Sequence, residues 1–250
     1  MSTTQTDHPL APLLKKLQLW VSLSEADTAA VMALPYIERS IDAGHYVVRE
    51  GDEPQRACLL ISGLAFRHKL TGSGGRQIMS IHMKGDLVDL QNSLLGRADH
   101  NVQMLTAGEM ALIPVEAIRK LAFAHPSVGM AMWFETLVDG SIFREWILNV
   151  GRRDARTRIA HLLCEFALRL EAAGLGGPGR YELPMTQEQI ADATGLTAVH
   201  VNRMLGTLKA DGLISRTNRT IEIADWTKLA KVGDFNAAYL HLDQAPRVLA

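Results

Sequence analysis

The sequence predicts an α+β chain, with an antiparallel β domain first and helices after it, and three observations carry that expectation. Residues 37–114 are a series of short β-favouring runs cut by turn residues. Residues 130–150 carry one broad apolar stripe at helical spacing. Residues 185–223 hold two short helical patterns around a glycine, followed by a hairpin signal.

Taken in order, Leu10 to Leu34 mix apolar and polar positions at helical spacing, and Ser24 before Glu25 is an N-cap. From Ile37 the pattern becomes IERSIDAGHYVVREGD, ACLLISGLAFRHKL, GRQIMSIHMKGD and NVQMLTAGEMALIP. Turn signals at Ala43-Gly44, Gly51-Asp52, Ser62-Gly63, Ser73-Gly74-Gly75 and Lys84-Gly85-Asp86 separate these runs, which argues an antiparallel sandwich or barrel. Pro114 to His125 reads as a short helix. The stripe that follows, Met130, Trp133, Phe134, Leu137, Val138, Ser141, Ile142 and Trp146, is wider than one face of a small barrel needs, and a second copy of the same helix is the economical partner. Asn149-Val150-Gly151 interrupts it, and Arg152 opens another helix through Leu170. GLGGPGRYELP is a Gly/Pro-rich loop with a short strand, ISRTNRTIEI a hairpin around Thr217-Asn218. The tail after Trp226 starts helical and then loses its pattern.

Composition excludes several classes. The chain has 250 residues, 47% hydrophobic, with a formal charge of −1, which fits a globular protein and not a disordered polyanion binder. Residues 1–150 carry 13 Lys+Arg against 16 Asp+Glu, and residues 151–250 carry 13 against 11, with Arg152, Arg153, Arg156 and Arg158 clustered. Two cysteines, Cys58 and Cys164, make neither a disulfide framework nor a four-cysteine metal site, and both read as buried small hydrophobes. The start, MSTTQTDHPLAPLLKK, lacks the pattern of a secretory signal, and no apolar stretch reaches the roughly 18 residues of a membrane span. A reduced, cytoplasmic protein is expected. No phosphate loop, nucleophile elbow or His/Cys metal spacing is present, so the chain is read as no enzyme, with no catalytic residue and no metal site.

The stretch MTQEQIADATGLTAVHVNRMLGTLKADGLI is the most informative. Thr186 and Gln189 form a capping box, Gly195 ends the first helix, and Thr197 caps the second. Small Ala191 before the glycine and Val201 after it let the helices cross closely, the pattern of a helix-turn-helix. Val201, Leu205 and Leu208 face inward; Val199, Asn202, Arg203 and Gly206 face outward. Arg203 suits guanine O6 and N7, Asn202 adenine, and Val199 a thymine methyl. Thr186, Gln187, Thr197 and His200 suit phosphate, as does Arg219 in the hairpin.

With these motifs, together with GHYVVREGDEP, LLISGLAF and KGDLVDL, residues 10–226 resemble the Crp/Fnr family of bacterial transcription regulators. The resemblance implies a β-roll or jelly-roll sensor domain like the cyclic-nucleotide-binding one over residues 10–126 and a dimerisation helix over 127–150. A winged helix-turn-helix over 151–226 and a C-terminal tail over 227–250 complete the expected plan. It implies a homodimer joined along the long helix, with Met130, Phe134, Leu137 and Ser141 at the interface. It further implies a palindromic double-stranded DNA operator, contact with RNA polymerase and an activator role, away from any membrane.

In cyclic-AMP-binding members of the family a Gly-Glu pair and an Arg-Ser pair hold the nucleotide. Here these pairs fall at Asp89-Leu90 and near His100-Asn101. An aspartate repels a phosphate and a leucine offers a ribose hydroxyl no hydrogen bond, so the pocket is degenerate and cyclic AMP is not the expected effector. The oxygen-sensing branch uses N-terminal cysteines for an iron–sulfur cluster, and none precedes Cys58. His68 and His82 are the positions a haem-binding member would offer; both read first as surface or satisfied histidines. No cofactor is expected and the effector stays open, the alternative being a cyclic-nucleotide-binding or haem-type gas-sensing module whose ligand controls DNA binding.

Overall fold

The computed structural model describes residues 8–243 and Pro246. Residues 1–7 of the stretch read against a secretory signal, and residues 244–245 and 247–250 of the tail, lie outside the described ones. The chain forms two compact units. One draws on residues up to 69, on 81–140 and on the chain beyond 241; the other on 70–80 and 141–241.

The first unit begins with α1 (Ala11–Gln18) and α2 (Glu25–Met32), the latter started by a capping box in which the Ser24 hydroxyl accepts from the Asp27 amide. Along the chain seven strands then alternate with turns: β1 (Ile37–Ile41), β2 (Tyr46–Val48), β3 (Arg56–Leu60), β4 (Ala65–Leu70), β5 (Arg76–His82), and, after the single-turn α3 (Asn92–Leu95), β6 (Asn101–Met104) and β7 (Gly108–Pro114); β5 falls mostly in the second unit. They form two sheets, ordered β1-β7-β3 and β2-β6-β4-β5, with antiparallel pairing such as Cys58 opposite Leu112 and Phe66 opposite Gln103. Period-2 alternation feeds two cores from one strand. Ala57 and Leu59 of β3 pack toward the helices, with Leu13, Leu17 and Val128. Cys58 and Leu60 point the other way, toward Val88, Val102 and Met104. A strand buried on both faces reads as a continuous apolar run, as ACLL does. α4 (Val115–Ala124) closes the β region where a short helix was expected.

The long helix α5 runs Pro126–Arg152, 27 residues, with proline in its first turn where no amide bond is lost. Asn149-Val150-Gly151 does not interrupt it, contrary to the sequence reading. The break falls at residues 153–154, where the Asp154 carboxylate accepts from the Thr157 amide and starts a new helix. A glycine in the last turn is tolerated because helix termini are set by the next cap.

The second unit is built around α6 (Ala155–Ala172), buried from Ile159 to Ala167 because other elements surround it. β8 (Arg180–Glu182), α7 (Gln187–Thr194), α8 (Ala198–Ala210) and α9 (Trp226–Val232) all pack on it. β9 (Ile214–Thr217) and β10 (Thr220–Ile223) complete a sheet of order β8-β10-β9. A 3₁₀ turn at Ala237–Leu240 follows α9. Among the described residues no helix is long and apolar enough to cross a membrane.

Candidate nucleic-acid interface

The helix pair α7–α8 forms because each end is specified locally. The Thr186 hydroxyl accepts from the Gln189 backbone amide at 3.1 Å while the Gln189 side-chain Oε1 accepts from the Thr186 backbone amide at 2.9 Å. Gly195 takes φ +64°, ψ +38°, a left-handed conformation that a side chain disfavours, and its amide closes α7 on the Ala191 carbonyl. Two residues later the Thr197 hydroxyl accepts from the His200 amide at 3.3 Å and α8 begins. Ala191, Val201, Leu205 and Leu208 are all at most 5% exposed, so the inner face of the pair is closed.

The outer face of α8 is open. Val199 is 82% exposed, and Asn202, Arg203 and Gly206 are exposed along the same side. Thr186 and Thr197 are exposed, Gln187 and His200 half-buried. Each capping hydroxyl accepts a backbone bond and keeps its own O–H to donate outward. In the hairpin, Thr217 pairs with Thr220 and Asn218 turns the chain at φ +55°, leaving Arg219 exposed. Arg216 on β9 donates its Nε to the Asn218 carbonyl at 3.1 Å and so lies along the hairpin tip. Sequence reading missed Arg216; its signal was a cation two residues before the turn asparagine.

Three arginines of the 152–158 cluster are engaged internally. Arg153 reaches Glu145 at 2.7 Å and Asp234 at 3.1 Å, and Arg156 pairs with Asp211. Arg158 donates to the carbonyls of Arg153 at 2.8 Å and Thr194 at 3.0 Å, where it satisfies the end of α7. These three side chains brace the helices of the second unit.

On α5, Leu137 is 52% and Trp133 59% exposed, and Ile147 is 69% exposed further along. These positions follow a 4-then-10 spacing that keeps to a 3.5-residue period. Met130 and Phe134 are half-buried against the core of the first unit, and Ser141 is half-buried with its hydroxyl 3.4 Å from His241 Nε2.

The segment aligned with nucleotide-holding residues is packed into the first unit. Asp89 is fully buried, its Oδ1 accepts from the Cys58 amide at 2.8 Å, and burial pushes its carboxyl up to about 6. Leu90 is half-buried against the apolar core. His100 Nδ1 lies 2.5 Å from Asp99 Oδ1 and its Nε2 3.2 Å from Gln91 Nε2, with burial lowering its basicity. Asn101 accepts from the Glu50 amide at 3.1 Å. The buried cation here, Arg67, donates to Asp139 at 2.7 Å and to the Val88 carbonyl at 3.0 Å. His68 and His82 are both buried. Burial lowers the basicity of His82, whose Nδ1 faces Asp86 at 3.5 Å. Asp89 and Arg67 are thus both engaged inside the first unit, the carboxylate by a backbone amide and the guanidinium by a carboxylate and a carbonyl. Among the described residues no group of three or more His, Cys, Asp or Glu side chains could hold a metal ion.

Comparison with known proteins agrees with this layout. Residues 157–232 match the Crp-like helix-turn-helix domain and residues 38–125 the cyclic nucleotide-binding domain. The transcriptional activator protein FnrL of Cereibacter sphaeroides is 31% identical over 197 residues, 76% of this chain and 78% of the relative. The fumarate and nitrate reduction regulatory protein of Escherichia coli is 26% identical over 78% of each chain. The structure of FixK2 from Bradyrhizobium japonicum shares the fold with a TM-score of 0.72 at 24% identity, over 80% of this chain and 98% of that one. A CooA variant from Carboxydothermus hydrogenoformans shares it at 0.65 and 19%, over 86% and 99%. An antiparallel β domain, a long helix and an open-faced helix-turn-helix define a DNA-binding transcription regulator. The chain belongs to the Crp/Fnr family of such regulators.

Proposed function

We propose that the chain acts as a homodimeric, cytoplasmic transcription activator that reads a palindromic operator through α8 and contacts RNA polymerase when bound there. The observation that carries the reading is the division of α8 into a closed face, Val201, Leu205 and Leu208, and an open one, Val199, Asn202 and Arg203. The open residues stand in the first two turns, the part of a recognition helix that meets base edges. Arg203 takes a guanine, Asn202 an adenine, Val199 a thymine methyl. Thr186, Gln187, Thr197 and His200 hold phosphates with the helix N-termini, and Arg219 holds the flanking backbone with Arg216 beside it. The dimer seam follows Leu137 on α5, with Trp133 and Ile147 along it and Met130, Phe134 and Ser141 at its edge.

The effector is not cyclic AMP, because Asp89, Leu90, His100 and Asn101 offer no anion site. Calorimetry with millimolar cyclic AMP gives no heat and leaves DNA affinity unchanged; a micromolar dissociation constant overturns this part. The regulator reading is tested by selecting from a random duplex library with the purified full chain. An enriched inverted repeat supports it, and a library that stays random after several rounds sinks it.

A further inference from the structure

Residues 233–241 lie beyond the stretch that matches the helix-turn-helix domain, yet they are tied to both α5 and α6. The tie starts at Gly233, whose backbone lies on α6: a Cβ there would come within 2.8 Å of the His161 nitrogen and 3.0 Å of the Ala160 carbonyl carbon. No side chain fits in that space. The Gly233 carbonyl accepts from His161 Nδ1 at 3.1 Å. Asp234 takes Arg153 on its carboxylate at 3.1 Å and on its carbonyl at 3.0 Å. Phe235 stands edge-on to His161, centroids 5.1 Å apart. Tyr239 then donates to Glu165 at 2.7 Å, with its oxygen 3.1 Å from His161 Nε2. Leu240 is 2% exposed.

Glu165 is the junction of three elements. It is 2% exposed and accepts from Trp146 Nε1 of α5 at 3.0 Å, from Tyr239 of the tail, and from Arg169 of α6 at 3.3 Å. Arg153, in the two-residue junction between α5 and α6, is held by Glu145 of α5 on one side and Asp234 of the tail on the other. The tail thus closes across the outside of that junction and pins both helices.

We propose that residues 233–241 form a strap that sets the angle between the C-terminal half of α5 and α6, with Tyr239, Glu165 and Asp234 as positioning residues for operator recognition. This rests on the reading that α5 joins two copies and α8 reads DNA. α8 is tied to the start of α6, with Asp211 at its end on Arg156 and the Thr194 carbonyl just ahead of it on Arg158, so it turns with α6 about the junction. A loose junction therefore lets the angle of each recognition helix vary and its half-site spacing relax, while its own base contacts are unchanged.

The test uses the full chain, Tyr239→Phe, and Gly233→Ala as an independent lesion. Fluorescence anisotropy is measured on the selected inverted repeat, on repeats with the spacer longer or shorter by one base pair, and on a single half-site. Hydrogen exchange is followed at amides 150–158. The strap predicts that Tyr239→Phe keeps half-site affinity within about twofold, narrows the discrimination between spacings at least fivefold, and speeds exchange at 150–158 about tenfold with α8 unaffected. Unchanged spacing discrimination and unchanged exchange overturn it. So does an equal loss on every DNA with a lowered melting temperature, which makes the tail a stabiliser of the fold alone. If the wild-type chain selects no inverted repeat, the regulator reading fails, and the exchange measurement still decides whether the tail holds the junction.

Discussion

Arg203 is the residue on which sequence specificity rests most directly. Its guanidinium stands on the open side of α8 two turns from the Thr197 cap, and a planar fork matches guanine O6 and N7 together. Arg203→Ala removes one bidentate contact per half-site, about 1–3 kcal/mol each, so operator affinity falls about 100-fold or more while scrambled DNA loses little. Arg203→Lys does not restore it, since an ammonium lacks the fork. Arg219→Ala weakens both DNAs alike and lowers the salt slope by about one per half-site. Anisotropy across a salt series separates the two, and an equal loss on both DNAs for Arg203→Ala would make it a phosphate contact. The outward set Val199, Asn202, Arg203 was legible because helical periodicity fixes which side a residue takes once the caps are known. The roles of the arginines at 153, 156 and 158 were not legible, because charge is visible in a sequence and its partners, Asp234, Asp211 and the Thr194 carbonyl, are not.

At the scale of elements, the turn between α7 and α8 is specified by one conformation. Gly195 sits at φ +64°, and the nearest atoms to an added Cβ, Arg158 Nη1 at 3.5 Å and Val150 Cβ at 3.9 Å, leave it room. The cost of Gly195→Ala is therefore backbone strain, about 1–2 kcal/mol, without a steric clash. Thermal unfolding checks this. Asparagine at the same site costs less than alanine, and a valine costs more. A drop no larger for alanine than for asparagine would mean the turn relaxes. The long helix was also legible as an element, but its stripe was read as one surface. Structure divides it: Met130 and Phe134 belong to the core of their own unit, while Trp133, Leu137 and Ile147 stay on the surface. A helical wheel marks apolar positions and does not say which of two neighbours covers them. Leu137→Glu is therefore the clean test of the dimer, because a charge at Phe134 damages the fold as well. Light scattering on Leu137→Glu shows monomers; a variant that stays dimeric places the seam elsewhere.

For the molecule as a whole, pH acts on the second unit through His161. Burial, and then the neighbouring Arg153, hold its imidazole down at about 4, against 6.5 in an open chain. The folded state thus favours the neutral ring. Its contribution is complete above pH 6.5 and is lost as pH falls through 4, by about 2 kcal/mol at pH 5 and about 3 kcal/mol below pH 4. Hydrogen exchange of α6 at pH 7.5 and pH 5 measures the loss, and His161→Gln, which cannot titrate, flattens it. An α6 equally protected at both values would show that the ring is charged in the fold. The first unit holds opposing groups, with Glu135 pushed up to about 7 by burial and His82 and His100 lowered by it, so the mutant comparison is confined to the second.

What the sequence determined by itself was set by neighbours along the chain: the N-cap at Ser24, the capping box at Thr186, the glycine turn at 195, the strand runs cut at their turns, and the side of α8 that faces out. These depend on backbone geometry over a few residues, and residue type reports them. The tertiary structure decided what depends on residues far apart. It showed that Asp89 is buried against the Cys58 amide, and that Tyr239 and Asp234 reach back across the α5–α6 junction to Glu165 and Arg153. A buried carboxylate such as Glu165 is stable only where donors converge on it, and its donors come from positions 146, 169 and 239, a set that no local pattern can bring together.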